Sequence, residues 1–149
     1  NITLRSKKYY FIHKARFYGW DKISINKEII YLQSLGFQEL KFSTNKELYT
    51  FLSLASIVIS LDLNTFISNA AVLCGCLSIV HKAPLFPISY DSVFATRGVY
   101  GTIGIKPYST ALLDVPYNRE KRLCESAEYR KYIQTANNIH DFILYFKLI

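Results

Sequence analysis

The chain has 149 residues and a formal net charge of +7, and half of its residues are apolar. This length corresponds to one domain, and only four prolines and six glycines exclude disordered, collagen-like and low-complexity chains. The least charged stretch, residues 48–80, includes Asp62, Asn64 and Asn69, so no run of about 20 apolar residues predicts a membrane span. Three cysteines are too few for a disulfide framework, so we expect a reducing, cytoplasmic setting.

Positive charge is concentrated in the first part of the chain. Residues 1–27 hold seven lysines and arginines against one acid, whereas residues 28–149 hold eleven against ten. A local positive potential of this kind attracts the phosphate groups of nucleotides, nucleic acid or anionic lipid. Because the chain lacks methionine and begins at Asn1, we expect residues 1–149 to be a single domain that is a fragment of a longer chain.

Four runs along the chain predict β-strands. Residues 9–13, 57–61 and 77–80 are short, apolar and rich in β-branched or aromatic residues, as in buried parallel strands. Residues 36–42 alternate Glu39 and Lys41 with apolar positions, which is typical of an edge strand.

Helical patterns separate these strands. Asn26 is expected to cap a first helix that ends at Gly36, and Thr44 with Glu47 has the spacing of a capping box that opens a second. The positions expected to face inward are Ile29, Ile30, Leu32 and Leu35 in the first helix and Leu48, Phe51, Leu52 and Ala55 in the second.

A third helix is expected to open at Asn64 or Thr65 and to end at Gly75. Its expected core positions are Phe66, Ile67, Ala70, Ala71 and Leu73. The alternation of strand and helix predicts the α/β class, with a Rossmann-like parallel sheet covered by helices on both faces.

After residue 80 the pattern loosens into a glycine-containing loop at residues 97–104. From about Ser109 the chain is expected to be mostly helical, with breaks at Pro116 and at Asn137-Asn138. A terminal helix over residues 138–147 then has Ile139, Phe142, Ile143 and Phe146 on its expected packing face.

One junction between a strand and a helix suits a ligand site. Parallel sheets bind ligands at the carboxyl ends of their strands, where helix N-termini present free amides. Residues 60–68 make such a junction, and Thr65 and Ser68, one turn apart, could offer a hydroxyl and backbone amides to the same phosphate. The alternative is that Asp62, Asn64 and Thr65 only cap the helix.

A second candidate follows the first predicted strand, where Lys14 and Arg16 flank a small residue. In an extended chain the two cations lie on the same side and could grip a diphosphate together. The alternative is a solvated basic loop. His13, His81 and His140 are too widely spaced to predict a metal site, and the cysteines of Cys74-Gly75-Cys76 are expected to pack behind the sheet.

Three segments resemble bacterial GT-B glycosyltransferases of the lipopolysaccharide and capsule type. The first segment resembles the donor-binding segment of these enzymes. It runs Asp62-x-x-Thr65-x-x-Ser68-x-Ala70-Ala71 and continues through Leu73-Cys74-Gly75-Cys76 into the strand ending at Val80. Residues 10–16 resemble the strand and basic loop of that family, and residues 97–104, with Tyr100 and Gly101, resemble its Tyr-Gly-x-x-x-Gly loop. The matches keep the family's order over residues 9–104.

The resemblance implies the C-terminal, donor-binding half of a metal-independent glycosyltransferase. A nucleoside diphosphate sugar would be the donor substrate, with no further cofactor, and a missing N-terminal domain would hold a surface-polysaccharide or lipid-linked acceptor at the inner face of the membrane. The implied binding residues are Lys14, Arg16, Asp62, Thr65, Ser68, Asn69, Tyr100 and Gly101.

Departures from the family pattern keep other classes open. His13 and Ala15 replace the Arg and Gly of the basic loop, and Asn69 stands where many of these enzymes have a glutamate. A non-catalytic α/β interaction domain is therefore the main alternative. A nucleic-acid-binding module is the weaker one, because the aromatic residues Tyr9 and Phe11 are expected inside a buried strand, where they cannot stack on bases.

Overall fold

A computed structural model describes residues 5–13, 22–62, 66–81 and 104–147, and beyond Gln134 it describes the backbone alone. These residues form an α/β fold, with a five-stranded parallel sheet and helices on both faces, so the predicted fold class is confirmed. The strands are β1 (Lys7–Phe11), β2 (Gln38–Glu39), β3 (Ala55–Ser60), β4 (Leu77–Val80) and β5 (Ile105–Pro107). The helices are α1 (Lys22–Ser34), α2 (Asn45–Leu54), α3 (Phe66–Leu73) and α4 (Arg119–Lys147).

The sheet has the order β2-β1-β3-β4-β5. Each neighbouring pair is parallel, and Tyr10 lies opposite Ile59, which lies opposite Ile79 in the next strand. The predicted edge strand is confirmed as β2, although only two of its residues pair. The chain thus winds from β1 to one side of the sheet and then crosses back to build the other side.

The two faces of the sheet bury separate cores, because side chains alternate along each strand. On one face Ile12, Ile59 and Ile79 pack in one cluster with residues of α1, which confirms that the three central strands share a core. On the opposite face Tyr9 and Val58 pack with residues of α2 and α3. A smaller cluster joins β4 and β5 to α4.

Helix α1 ends as the sequence predicts but begins earlier. Gly36 has a φ of +92°, and the N–H of Phe37 donates to the Leu32 carbonyl, which is the hydrogen bond of a Schellman motif. The expected cap at Asn26 is wrong, because α1 already includes Lys22 and Asn26 lies within the helix.

The inward face of α1 is narrower than expected. Ile25 and Leu32 are buried, and Ile29 and Leu35 pack against the same cluster. Ile30 was expected to face inward, but it is 65% exposed. At about 100° per residue it lies beyond the stripe formed by Ile25, Ile29 and Leu32.

Helix α2 carries the predicted cap. The Thr44 hydroxyl accepts from the N–H of Glu47 at 3.2 Å, and the Glu47 carboxylate accepts from the N–H of Ser43 at 2.7 Å. The return bond therefore reaches one residue before the position used in a standard capping box. The expected core positions are confirmed: Leu48, Leu52 and Ala55 are buried, and Phe51 is partly buried.

Helix α3 ends at Gly75, which has a φ of +83° and the same pattern of closing hydrogen bonds as Gly36. Ile67, Ala70 and Ala71 are buried and Leu73 is partly buried, as predicted. Phe66 was expected to face the core, but as the first helical residue it is 56% exposed. The opening residues Asn64 and Thr65 lie outside the described residues.

The C-terminal third differs from the prediction in two ways. Strand β5 was not predicted, because its three residues are too few to show an alternating pattern and include Pro107, which only an edge strand or a strand end tolerates. The break expected at Asn137-Asn138 is wrong, since α4 continues through both residues. Asparagine costs less than about 0.7 kcal/mol relative to alanine inside a helix, which is too little to end one.

A helix was expected before Pro116, but the structure has only a short 3₁₀ turn there, Thr110–Leu112. Helix α4 then begins after it, at Arg119. The side chains of the expected terminal packing face, residues 139–146, lie outside the described part of the chain, as do residues 97–103 of the predicted loop.

Candidate functional site at the carboxyl edge of the sheet

The order of the sheet places a topological switch point between β1 and β3. The chain leaves these neighbouring strands toward opposite sides, and in doubly wound folds this opens a crevice for ligands at the carboxyl ends of the strands. His13 follows β1 and Asp62 follows β3 at this edge. Both segments that the sequence singles out therefore leave the sheet at the switch point.

Asp62 joins the two strand ends. Its carboxylate accepts from the main-chain N–H of His13, with distances of 3.2 and 3.1 Å from that nitrogen to Oδ1 and Oδ2. Its own N–H donates to the Ser60 hydroxyl at 3.1 Å, and that hydroxyl donates to the Asp62 carbonyl at 2.7 Å. The side chain is 3% exposed. This geometry makes Asp62 a positioning residue, and direct contact with a donor stays a prediction.

Ser68 and Asn69 lie in the first turn of α3, beside the same edge. Ser68 is buried, and its hydroxyl has no hydrogen-bond partner, although its carbonyl accepts from the Ser78 hydroxyl at 2.9 Å. The side-chain oxygen of Asn69 is likewise buried without a partner. Leaving such groups unpaired costs about 1–3 kcal/mol each unless a water molecule or a ligand reaches them.

Five of the predicted binding residues lie outside the described residues: Lys14, Arg16, Thr65, Tyr100 and Gly101. Their roles stay predictions. The described chain does fix where two of these segments start, since Lys14 directly follows His13 and Thr65 directly precedes α3.

A buried polar cluster that the sequence did not reveal lies at the ends of β4 and β5. His81 Nε2 is 3.2 Å from Glu28 Oε1, and the Tyr108 hydroxyl donates to the same oxygen at 3.1 Å. The rings of His81 and Tyr108 stack with their centroids 3.8 Å apart. Burial lowers the pKa of His81, and the neighbouring Glu28 carboxylate offsets part of that effect.

This cluster brings together residues from α1 and from the ends of two strands. The main-chain N–H of His81 donates to the Ser60 carbonyl, so the imidazole is held one strand away from Asp62. The only sequence signal for this cluster was a histidine at the end of a predicted strand. Its partners were hidden, because Tyr108 follows the unpredicted β5 and Glu28 lies on a helix 53 positions earlier.

The amino edge of the sheet holds the cysteine pair. Cys76 is buried between α2 and β3, donates to the Leu52 carbonyl at 3.1 Å, and has a pKa raised by burial to about 12. Cys74 and Cys124 are also free thiols. The expectation that the pair packs behind the sheet is confirmed for Cys76.

Two features are absent from the part of the chain that the structure describes. No group of three or more histidine, cysteine, aspartate or glutamate side chains there is arranged to hold a metal ion. Within the same part of the chain, no helix combines the length and apolar character that a membrane span requires. Comparisons with protein-family models, curated proteins and solved structures found no match to this chain.

Proposed function

We propose that the chain is the donor-binding domain of a glycosyltransferase and binds the diphosphate of a nucleotide sugar at the β1–β3 switch point. The observation that carries the proposal is the pair of hydrogen bonds from the His13 N–H to the Asp62 carboxylate. They hold together the start of the basic segment and the start of the segment leading into α3. These are two of the three segments whose residues resemble the glycosyltransferase family.

Electrostatics favours a phosphate ligand at this edge. Lys14 and Arg16 follow His13, and residues 1–27 carry most of the net charge of the chain. The N-terminus of α3 adds the partial positive charge of its free amides. Because the Asp62 carboxylate already accepts from a main-chain N–H and is buried, it does not present an open negative charge to a diphosphate.

In glycosyl transfer, these groups would stabilise the departing nucleoside diphosphate. Negative charge accumulates on the diphosphate as the bond to the sugar breaks, and fixed cations and amides lower the energy of that transition state. Lys14 and Arg16 would supply the cations, and the first turn of α3, with Thr65 and Ser68, would supply amides and hydroxyls. The acceptor would come from a second domain facing this edge.

The first experiment is a thermal-stability titration of the chain with a panel of nucleoside diphosphates at millimolar concentration. At least one base should raise the melting temperature, because a ligand that binds only the folded state stabilises it. The double variant Lys14→Ala/Arg16→Ala should weaken binding at least tenfold, which is about 1.4 kcal/mol.

The matched control is Arg130→Ala/Lys131→Ala, which removes the same charges from α4, and it should change binding less than twofold. If no nucleoside diphosphate shifts the melting of the folded chain, or if the two double variants weaken binding equally, the donor site is wrong. The non-catalytic interaction domain would then be the better account.

A further inference from the structure

A cavity of about 580 Å³ lies at the opposite, amino edge of the sheet, where β3 and β4 begin. Small-molecule sites usually measure about 300–1,000 Å³, so this cavity is the size of an organic ligand rather than of a single ion. One wall is apolar. It consists of Ile57, Leu77, Val115, Pro116 and Tyr117.

The other wall is the start of α4, which is strongly basic. Arg119, Lys121 and Arg122 line the cavity together with the Glu120 carboxylate, and the Glu125 carboxylate lies beside Arg122. The Asn118 side chain caps the helix by accepting from the N–H of Lys121 at 3.1 Å. The amides of the first helical residues have no acceptor within the helix, and the helix dipole adds partial positive charge there.

Arg122 gives an independent indication of an anionic ligand. It is 7% exposed, and its NH2 nitrogen lies 2.8 Å from the Glu125 carboxylate. Its NH1 nitrogen has no hydrogen-bond partner. A buried, unpaired guanidinium nitrogen is costly, and an anion in the cavity would satisfy it. Because NH1 is itself covered, the guanidinium group must rotate to make that contact.

We propose that this cavity binds a phosphomonoester with an apolar body, the phosphate lying at the start of α4 and the apolar body against Ile57 and Leu77. Arg119 and Lys121 beside a helix N-terminus, with the unpaired NH1 nitrogen of Arg122, favour a dianion such as phosphate over a carboxylate. The site lies at the opposite edge of the sheet from the proposed donor site. The inference therefore does not depend on the proposed function.

The test is an NMR titration of the ¹⁵N-labelled chain with phenyl phosphate. The amides of residues 117–122 should shift and saturate at millimolar concentration or below. The double variant Arg119→Gln/Lys121→Gln, in which both changed residues are exposed, should weaken this binding at least fivefold. The matched control Arg130→Gln/Lys131→Gln removes the same charges elsewhere on α4 and should change it less than twofold.

Three results would overturn the proposal. These are no shift at residues 117–122, an equal loss of affinity in both double variants, and an affinity for inorganic phosphate or benzoate equal to that for phenyl phosphate. Sedimentation with vesicles containing phosphatidic acid distinguishes a lipid phosphate from a soluble one. Sedimentation that Arg119→Gln/Lys121→Gln abolishes supports a lipid source, and phenyl phosphate binding without sedimentation supports a soluble one.

Discussion

The two edges of the sheet differ in how their polar groups are satisfied. At the amino edge, side chains close the helix ends: Arg5 donates to the Leu52 and Ala55 carbonyls at 3.0 and 3.3 Å, and Tyr117 donates to the Gly75 carbonyl at 2.8 Å. At the carboxyl edge, the side-chain oxygens of Ser68 and Asn69 are buried without partners, whereas at the amino edge the buried nitrogen without a hydrogen-bond partner is Arg122 NH1, beside the cavity.

The two edges therefore differ in what their polar groups contribute to the free energy of the folded chain. Closed helix ends lower the energy of the folded chain, whereas unpaired polar groups raise it unless a ligand or another segment satisfies them. Apart from the cavity around Arg122, the amino edge therefore stabilises the fold. The carboxyl edge is the edge at which we propose the donor site.

The largest expected effect is at the amino edge, from Arg5→Ala. The change removes two charge-assisted hydrogen bonds to helix-end carbonyls and the contact of the guanidinium with the Tyr117 ring. We expect a loss of about 2–3 kcal/mol in the free energy of unfolding, or a melting temperature lowered by about 4–12 °C. Arg5→Lys should keep part of the stabilisation that Arg5 provides. A melting temperature unchanged by Arg5→Ala would refute the stabilising role of this edge.

Asp62→Ala tests the tie between the strand ends. The change leaves the His13 N–H without its carboxylate partner, and we expect a cost of about 1.5–2 kcal/mol, measured by urea denaturation. Binding of a nucleoside diphosphate should weaken as well, because the segment that follows β1 is no longer held. Asp62→Asn retains one acceptor oxygen, so its stability should lie between that of the unchanged chain and that of Asp62→Ala. Full stability in Asp62→Ala would contradict the account.

Two serines that contact each other form a sharper comparison. Ser78→Ala removes the hydrogen bond to the Ser68 carbonyl and should cost about 1 kcal/mol. Ser68→Ala removes a buried hydroxyl that has no partner, so it should leave stability unchanged or raise it slightly, while weakening nucleoside diphosphate binding. Equal losses of stability in both variants would show that the Ser68 hydroxyl is satisfied after all.

The smallest expected effect is a pH dependence that comes from His81. Its pKa is lowered in the folded chain, so at mildly acidic pH the unfolded chain binds more protons. The stabilisation is complete above about pH 6.5, the usual histidine value, and is lost as the pH falls through the lowered pKa. One proton limits the slope to about 1.4 kcal/mol per pH unit. His81→Gln should flatten this pH dependence of the free energy of unfolding, measured by denaturation between pH 7.5 and 5. The same slope in His81→Gln and in the unchanged chain would contradict the role of His81.

The sequence predicted those features that local rules control. Gly36 and Gly75 end helices because a left-handed residue is needed there, and Thr44 with Glu47 caps α2 through bonds between near neighbours. The central strands were clear because a buried parallel strand must be apolar on both faces. Each of these signals lies within a few residues of the feature that it predicts.

Features that depend on distant parts of the chain were missed. Whether Ile30 or Phe66 faces the core depends on where its helix begins and how that helix sits on the sheet. The cluster of Glu28, His81 and Tyr108 exists only because the sheet order brings α1, β4 and β5 together. At the candidate site, Asp62 was predicted as a polar residue at the end of a buried strand, but its bond to His13 required knowing that β1 and β3 are neighbours.

The most direct test of the division between the two edges is an NMR map of the ¹⁵N-labelled chain titrated with the nucleoside diphosphate that stabilises it most. The account predicts that the amides of His13, Asp62 and Ser68 shift together and saturate with one affinity, which differs from the affinity of any shift at residues 117–122. Shifts confined to residues 117–122, or no shift at His13 and Asp62 at saturation, would contradict a donor site at the carboxyl edge.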